Sequence, residues 1–114
     1  MKIAIVGAGI TGVCTAYELA ADGHDITVFE QHGTAALQTL YATLQESFPG
    51  AAEYTDGVPV VGPLADPRPW LNAGHGANGW AVACDCARLL ADLIAERAPQ
   101  ADAAGYAPAR FGAA

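Results

Sequence analysis

Short apolar runs alternate with segments of helical period along this chain. Residues 2–6, KIAIV, are apolar and β-branched and read as a buried strand. Residues 10–22 place Ile10, Val13, Cys14, Tyr17 and Ala21 on one helical face, and the Asp-Gly pair at 22–23 ends that helix. Residues 26–29, ITVF, form a second apolar strand. After a turn at His32–Gly33–Thr34, with Thr34 as helix cap, Leu37, Leu40, Tyr41, Leu44 and Phe48 follow i, i+3, i+4, i+7, i+11, a second helical pattern that Pro49-Gly50 stops. Residues 51–69 are rich in Pro, Gly and Asp. Within them VPVV at 58–61 reads as an edge strand because of Pro59, and WLNA at 70–73 as another short strand. From about Asn78 to Arg97 the pattern predicts a long helix. Its apolar face carries Val82, Cys86, Leu89, Leu90, Leu93 and Ile94, and its wet face Asp85, Arg88, Asp92 and Glu96. The Ala/Gly/Pro-rich remainder, 99–114, is expected to be a loose tail.

Two glycine turns punctuate this pattern, GAGITG at 7–12 and NAGHGANGW at 72–80. The first stands between a strand and a helix, and each glycine has a separate physical task. Gly7 permits a tight turn out of the strand, Gly9 lets a pyrophosphate approach the backbone, and Gly12 lets helix and strand pack closely. The helix N-terminus at Ile10 and Thr11 then offers backbone N–H groups to phosphate oxygens. Glu30 closes the second strand, where its carboxylate can accept hydrogen bonds from a ribose 2′-hydroxyl and would repel a 2′-phosphate. The spacing therefore predicts a dinucleotide site without a 2′-phosphate, formed by Gly7, Ala8, Gly9, Ile10, Thr11, Gly12, Glu30 and the neighbouring Gln31.

Composition narrows the classes. Hydrophobic residues make up 53% of the 114 and charged residues 15%, the balance of a packed domain rather than a disordered one. Five scattered cations against twelve acids, a net charge of −7, argue against nucleic-acid binding. Any bound anion must then be held mainly by backbone N–H groups. Cys14, Cys84 and Cys86 have no framework spacing and suggest a reducing, cytoplasmic setting. Residues two apart on a helix point about 200° apart, so Cys84 and Cys86 do not share a metal. Cys86 is expected in the core, and Cys14 with it; no metal set is expected. The uncharged stretch 3–17 after Lys2 imitates a secretion signal, but three glycines interrupt it and Glu18 and Asp22 follow. No apolar run reaches the ~20 residues of a membrane span. His24 and His32 read as surface residues, and Asp56 as part of a turn.

Taken together, the two turns resemble the D-amino-acid dehydrogenase and oxidase family of flavoproteins. Members begin with a strand–GxGxxG–helix–strand–Glu unit and end with a segment that TDGVPVVGPLADPRPWLNAGHGANGWAVACDCARLLADLIAER resembles. The likeness covers residues 1–33 and 36–97, closest to the bacterial dehydrogenase. The family's long middle, with its substrate domain, is absent between Gly33 and Ala36. Its Arg-Pro pair is also missing, with Ala52, Glu53 and Tyr54 near that place.

The resemblance implies FAD as cofactor, with the second turn (Gly74, His75, Gly76, Ala77, Asn78 and Gly79) beside the pyrimidine side of the flavin. A helix N-terminus there favours the negative charge of reduced flavin. It also implies oxidation of an amino acid, by hydride loss from the α-carbon, to an imino acid that hydrolyses to a keto acid and ammonia. His75 is expected to shape its turn rather than act as a base, and no residue matches the family's carboxylate clamp. Arg68, Arg88 and Arg110 are the candidates, Arg68 first. The alternative is a non-catalytic FAD- or ADP-binding module, or a truncated, minimal fragment that needs a partner subunit or a second copy to complete it. The expected fold is α/β: a minimal Rossmann-like three-layer core over residues 1–98, with helices on the faces of a small, mainly parallel sheet. Residues 2–6, 26–29 and 70–73 would run parallel, 2–6 central, and both helix N-termini would point at one sheet edge.

Overall fold

A computed structural model describes residues 1–31, 58–75 and 79–112. The helical pattern at 37–48 lies outside the described residues, as do His32, Asp56, and Gly76, Ala77 and Asn78 of the second turn. The described elements are β1 (Lys2–Val6), α1 (Ile10–Ala21), β2 (Asp25–Phe29), β3 (Val60–Pro63), β4 (Trp70–Ala73) and α2 (Gly79–Ile94), followed by two short 3₁₀ turns.

β1 and β2 pair in parallel, with Ile3 opposite Ile26 and Ile5 opposite Val28. This is the strand–helix–strand unit that the pattern predicts, with α1 as its crossover. Ile3 and Ile5 are half-buried, whereas Ala4 and Val6 are exposed. Alternation of this kind means that one face of the pair is covered and the other is open.

The third expected parallel strand is corrected by the structure. β4 pairs antiparallel with β3, Val60 opposite Ala73 and Pro63 opposite Trp70, as a separate hairpin. The described residues thus contain two two-stranded sheets, and the single, mainly parallel sheet with β1 at its centre is not formed among them. The reason is local. Only six residues separate β3 from β4, so hairpin pairing has a far smaller closure cost than a pairing with β1 across more than 60 residues.

The two helices lie side by side. Sγ of Cys14 meets Sγ of Cys84, Glu18 pairs with Arg88, and Asp22 pairs with Arg97. Partners rise together along both chains, so α1 and α2 run parallel. Thr15 and Leu19 are buried on α1, with Ala83, Ala87 and Ala91 buried at every fourth residue of α2. This face of α1 differs from the expected one: Val13 and Tyr17 are exposed, Tyr17 by 74%. On its other side α2 packs Cys86, Leu89 and Leu90 against Val61 of the hairpin, with Trp70, Val82, Leu93, Ala103 and Tyr106 around them.

Both helices end in the same way. His24 N–H returns to the Leu19 carbonyl and Gly23 N–H to that of Ala20; Arg97 N–H returns to Asp92 and Glu96 N–H to Leu93. The left-handed residue of this motif is Gly23 in the first case and Glu96, at φ 55°, in the second. Asp92, expected on the wet face, is buried. Arg97 donates to it at 2.8 Å while holding Asp22 with two further bonds of 2.8 Å, so one guanidinium clamps both C-termini. Hydrogen bonding to Arg97 holds the Asp22 carboxyl below the usual carboxylate range.

The segment after Pro99, expected as a loose tail, is packed instead. Val61 N–H donates to the Tyr106 carbonyl at 2.8 Å, Pro108 is buried, and Arg110 donates to the carbonyls of Val58, Pro59 and Tyr106. The outer edge of β3 is thereby covered.

Candidate dinucleotide-binding site

The first glycine turn forms at the C-terminal end of β1. Gly7 N–H donates to the Phe29 carbonyl at 2.7 Å, extending the parallel ladder one residue into the turn. Gly7 then adopts φ 101°, a left-handed conformation open to glycine at little cost. At Gly12, a Cβ would lie 1.9 Å from the Gly7 carbonyl oxygen. The third glycine is required because the first helical turn presses directly on the turn that feeds it. Gly9 is the opposite case. A Cβ built there meets no atom within 4 Å, so its lack of a side chain is not needed for packing.

Gly9 is also the N-cap of α1, and no side chain caps it. The first hydrogen bond of the helix runs from Val13 N–H to the Gly9 carbonyl, so the N–H groups of Ile10, Thr11 and Gly12 have no intrahelical acceptor. They form an end with partial positive charge next to open space, the physical form of an anion site. Glu30 reaches this turn from the end of β2, its carboxylate accepting from Ala8 N–H at 2.8 Å. A carboxylate accepts up to about four hydrogen bonds, so holding Ala8 is compatible with receiving ribose hydroxyls too. Gln31 is exposed beside it.

Of the second turn, Gly74, His75 and Gly79 are described. Gly74 has φ 73°, and a Cβ on the buried Gly79 would come within 3.2 Å of His75 Cβ. Because α1 and α2 run parallel with Cys14 level with Cys84, their first residues, Ile10 and Gly79, stand at the same level. Packed helix axes lie about 8–10 Å apart. The two helix N-termini therefore open on one side of the molecule, but not at the edge of one sheet as expected, because the two sheets do not merge.

A polar link that sequence reasoning missed joins the turns. Asn72 Nδ2 of β4 donates to Oγ1 of the buried Thr15 on α1 at 3.0 Å. Asn72 Oδ1 faces His75 Nε2, also at 3.0 Å. With Oδ1 as acceptor, Nε2 carries the proton. Burial lowers the His75 pKa below the ordinary imidazole value, so the neutral ring makes this bond near pH 7. The signal in the sequence is a polar residue inside a short apolar strand. Replacing Asn72 by Ala removes the partner of both Thr15 and His75. The expected cost is about 1–3 kcal/mol of unfolding free energy, the scale of an unsatisfied buried polar group, measured by urea titration.

The arginines considered for a carboxylate clamp are all engaged elsewhere. Arg68 pairs with Asp66 in the β3–β4 turn, with its side chain 87% exposed. That turn lies at the far end of β4 from Gly74, about 13 Å away at strand rise. Arg88 bridges Glu18 and Asp92. Arg110 holds three carbonyls and stacks 4.3 Å from the Phe111 ring centroid. No metal-binding group of three or more ligand residues occurs among the described residues, and no described helix is long and apolar enough to cross a membrane.

Comparison with known proteins agrees with this geometry. The family model described as FAD dependent oxidoreductase matches residues 2–43. D-amino acid dehydrogenase 2 of Ralstonia nicotianae is 45% identical over 91 residues, covering 65% of this chain and 21% of that protein. D-amino acid dehydrogenase of Chromohalobacter salexigens is 37% identical over 86 residues, covering 75% of this chain and 19% of the relative. That of Xanthobacter autotrophicus is 46% identical over 56 residues. No solved structure matched. The chain is thus similar to FAD-dependent oxidoreductases through its first glycine turn, and to D-amino acid dehydrogenases over much of its length. It spans about a fifth of the length of the first two relatives.

Proposed function

We propose that the chain is a minimal Rossmann-like, FAD-binding part of an oxidoreductase related to D-amino acid dehydrogenases. The carrying observation is the uncapped N-terminus of α1 beside the open space at Gly9, with Glu30 bonded to the same turn. Gly7, Ala8, Gly9, Ile10, Thr11 and Gly12 would hold the pyrophosphate, and Glu30, with Gln31 beside it, the adenosine ribose. Gly74, His75, Gly76, Ala77, Asn78 and Gly79 would take the pyrimidine side of the flavin. FAD supplies acceptance of a hydride equivalent from the substrate carbon. The chain's own residues supply position: the Thr15–Asn72–His75 link holds the second turn relative to α1, which carries the first.

Calorimetric titration with ADP and with FAD tests this reading. Both should bind, and Glu30→Ala should weaken ADP by about 1.5–3 kcal/mol, the scale of hydrogen bonds to a charged group. Absence of binding in the parent, or an unchanged affinity in the variant, would count against it.

In this reading the D-amino acid is the substrate class of a completed site rather than of this chain alone. Arg68, Arg88 and Arg110 all serve other contacts. Val6 and Phe29, 89% and 57% exposed, leave apolar surface that a second copy or partner subunit would cover. Dye reduction with D-amino acids should therefore be slow or undetectable for the isolated chain. Steady-state turnover at ordinary flavoenzyme rates with no partner present would contradict this.

A further inference from the structure

We propose that Cys14 and Cys84 are a disulfide-forming pair that ties the helix of the first glycine turn to the helix of the second. Their Sγ atoms are 3.3 Å apart across the α1–α2 contact, in the reduced state. A disulfide needs about 2.05 Å, so closure requires the two sulfurs to approach by roughly 1.3 Å. The contact has a defined setting. One helical turn further along, Glu18 meets Arg88, and at the C-termini Arg97 joins Asp22 to Asp92. The bond would therefore lie on an existing line of contacts between two parallel helices. Cys86 takes no part: it is buried against Val61 and Leu90, two residues round the helix from Cys84.

Accessibility sets the order of events. Cys84 is exposed and Cys14 half-buried beside it. Burial first, then its hydrogen bond to Cys84 and the charge of Glu18, push the Cys14 thiol up to about 11. Cys14 is therefore protonated near neutral pH and poorly reactive toward an external oxidant. The oxidant is a low-molecular-weight disulfide. The Cys84 thiolate attacks one of its sulfurs, releasing one thiol and leaving a mixed disulfide on Cys84. Cys14, on losing its proton, attacks Sγ of Cys84 and expels the second thiol. The protein loses two protons and two electrons, and the small disulfide is reduced to two thiols. The cross-link closes a loop of about 70 residues, which restricts the unfolded chain. It also fixes the spacing of the two helix N-termini.

The test uses the full chain equilibrated in glutathione buffers of graded oxidation, acid-quenched, alkylated and weighed intact. Oxidation should remove two hydrogens, leave no glutathione adduct, and, after proteolysis, join the peptide of Cys14 to that of Cys84. The melting midpoint should rise by roughly 10 °C relative to the reduced protein. Cys86→Ala should behave like the parent, and Cys84→Ser should lose both effects. A persistent glutathione adduct on Cys84, a link involving Cys86 or a second chain, or a midpoint that does not rise on oxidation would overturn the proposal.

Discussion

Gly12→Ala is expected to be among the most destabilising single substitutions in the chain. The added methyl would lie 1.9 Å from the Gly7 carbonyl oxygen and 3.0 Å from its carbon. Both are backbone atoms, so no flexible side chain can move aside. Gly7 itself has little freedom: its N–H is committed to Phe29 at 2.7 Å, and its φ of 101° is a glycine conformation. Relief must come from lifting the first turn of α1 off β1, which also loosens the contact of Ile5, whose Cγ2 lies 3.7 Å from the added methyl. Overpacking in a core usually costs about 1–3 kcal/mol. With backbone on both sides of the clash the cost should reach or exceed about 3 kcal/mol, a large share of the roughly 5–15 kcal/mol of a typical domain. Urea unfolding followed by circular dichroism should show the midpoint fall by at least about a fifth. A midpoint within error of the parent would mean that Gly12 is not packed against the first turn.

The parts of this molecule that were legible in the sequence are those whose causes are local. The β1–α1–β2 unit follows from two apolar runs, three glycines at fixed spacing and an Asp-Gly stop, and all lie within 30 residues. Where residues of distant segments decide the outcome, the pattern was silent. The helix ITGVCTAYELAA has one charged residue and is nearly apolar all round, so periodicity could not choose between the face of Val13 and Tyr17 and that of Thr15 and Leu19. The choice is made by the small residues of α2, which admit a close neighbour at Ala83, Ala87 and Ala91. Asp92 looked like one member of a solvated charge run because its partner Arg97 lies beyond the helix end, where the chain turns back through the left-handed Glu96. The segment after Pro99 has a composition that favours no regular structure. It is ordered by single contacts of Tyr106, Pro108 and Arg110 with the hairpin. The direction of β4 escapes the pattern for a similar reason: apolar strands alternating with helices point to a parallel partner, while a short turn makes the antiparallel one available first.

The candidate site divides along the same line. The glycines and Glu30 could be placed by spacing, because each answers to a backbone requirement that the sequence displays. Thr15 and Asn72 carry no motif, and their meeting depends on how α1 and β4 approach each other. The same holds for Cys14 and Cys84, whose thiols come together only because two helices separated by half the chain run parallel and in step.

Gly9→Val separates binding from folding, since Gly9 is the member of the first turn with nothing packed against it. A valine side chain would enter open space on the protein side, with no atom within 4 Å of its Cβ. The backbone there, φ −67° and ψ 175°, is extended and acceptable to valine. The expected effect on stability is therefore small, about 1 kcal/mol or less, the scale of replacing a glycine N-cap by a poor one. The effect on ligand should be large. The same space lies in front of the uncapped N–H groups of α1, and with a net charge of −7 there is little else to hold a pyrophosphate. Hydrogen bonds to charged groups are worth about 1.5–3 kcal/mol each, so displacing the phosphates from one or two of them should cost about 2–5 kcal/mol. At 1.4 kcal/mol for each factor of ten, ADP affinity should fall by roughly 30-fold or more, with FAD falling in parallel. Calorimetry with ADP, alongside circular dichroism and a urea midpoint for the same variant, distinguishes the outcomes. Unchanged ADP affinity in a folded Gly9→Val protein would remove the phosphate from this turn and, with it, the proposed orientation of the cofactor.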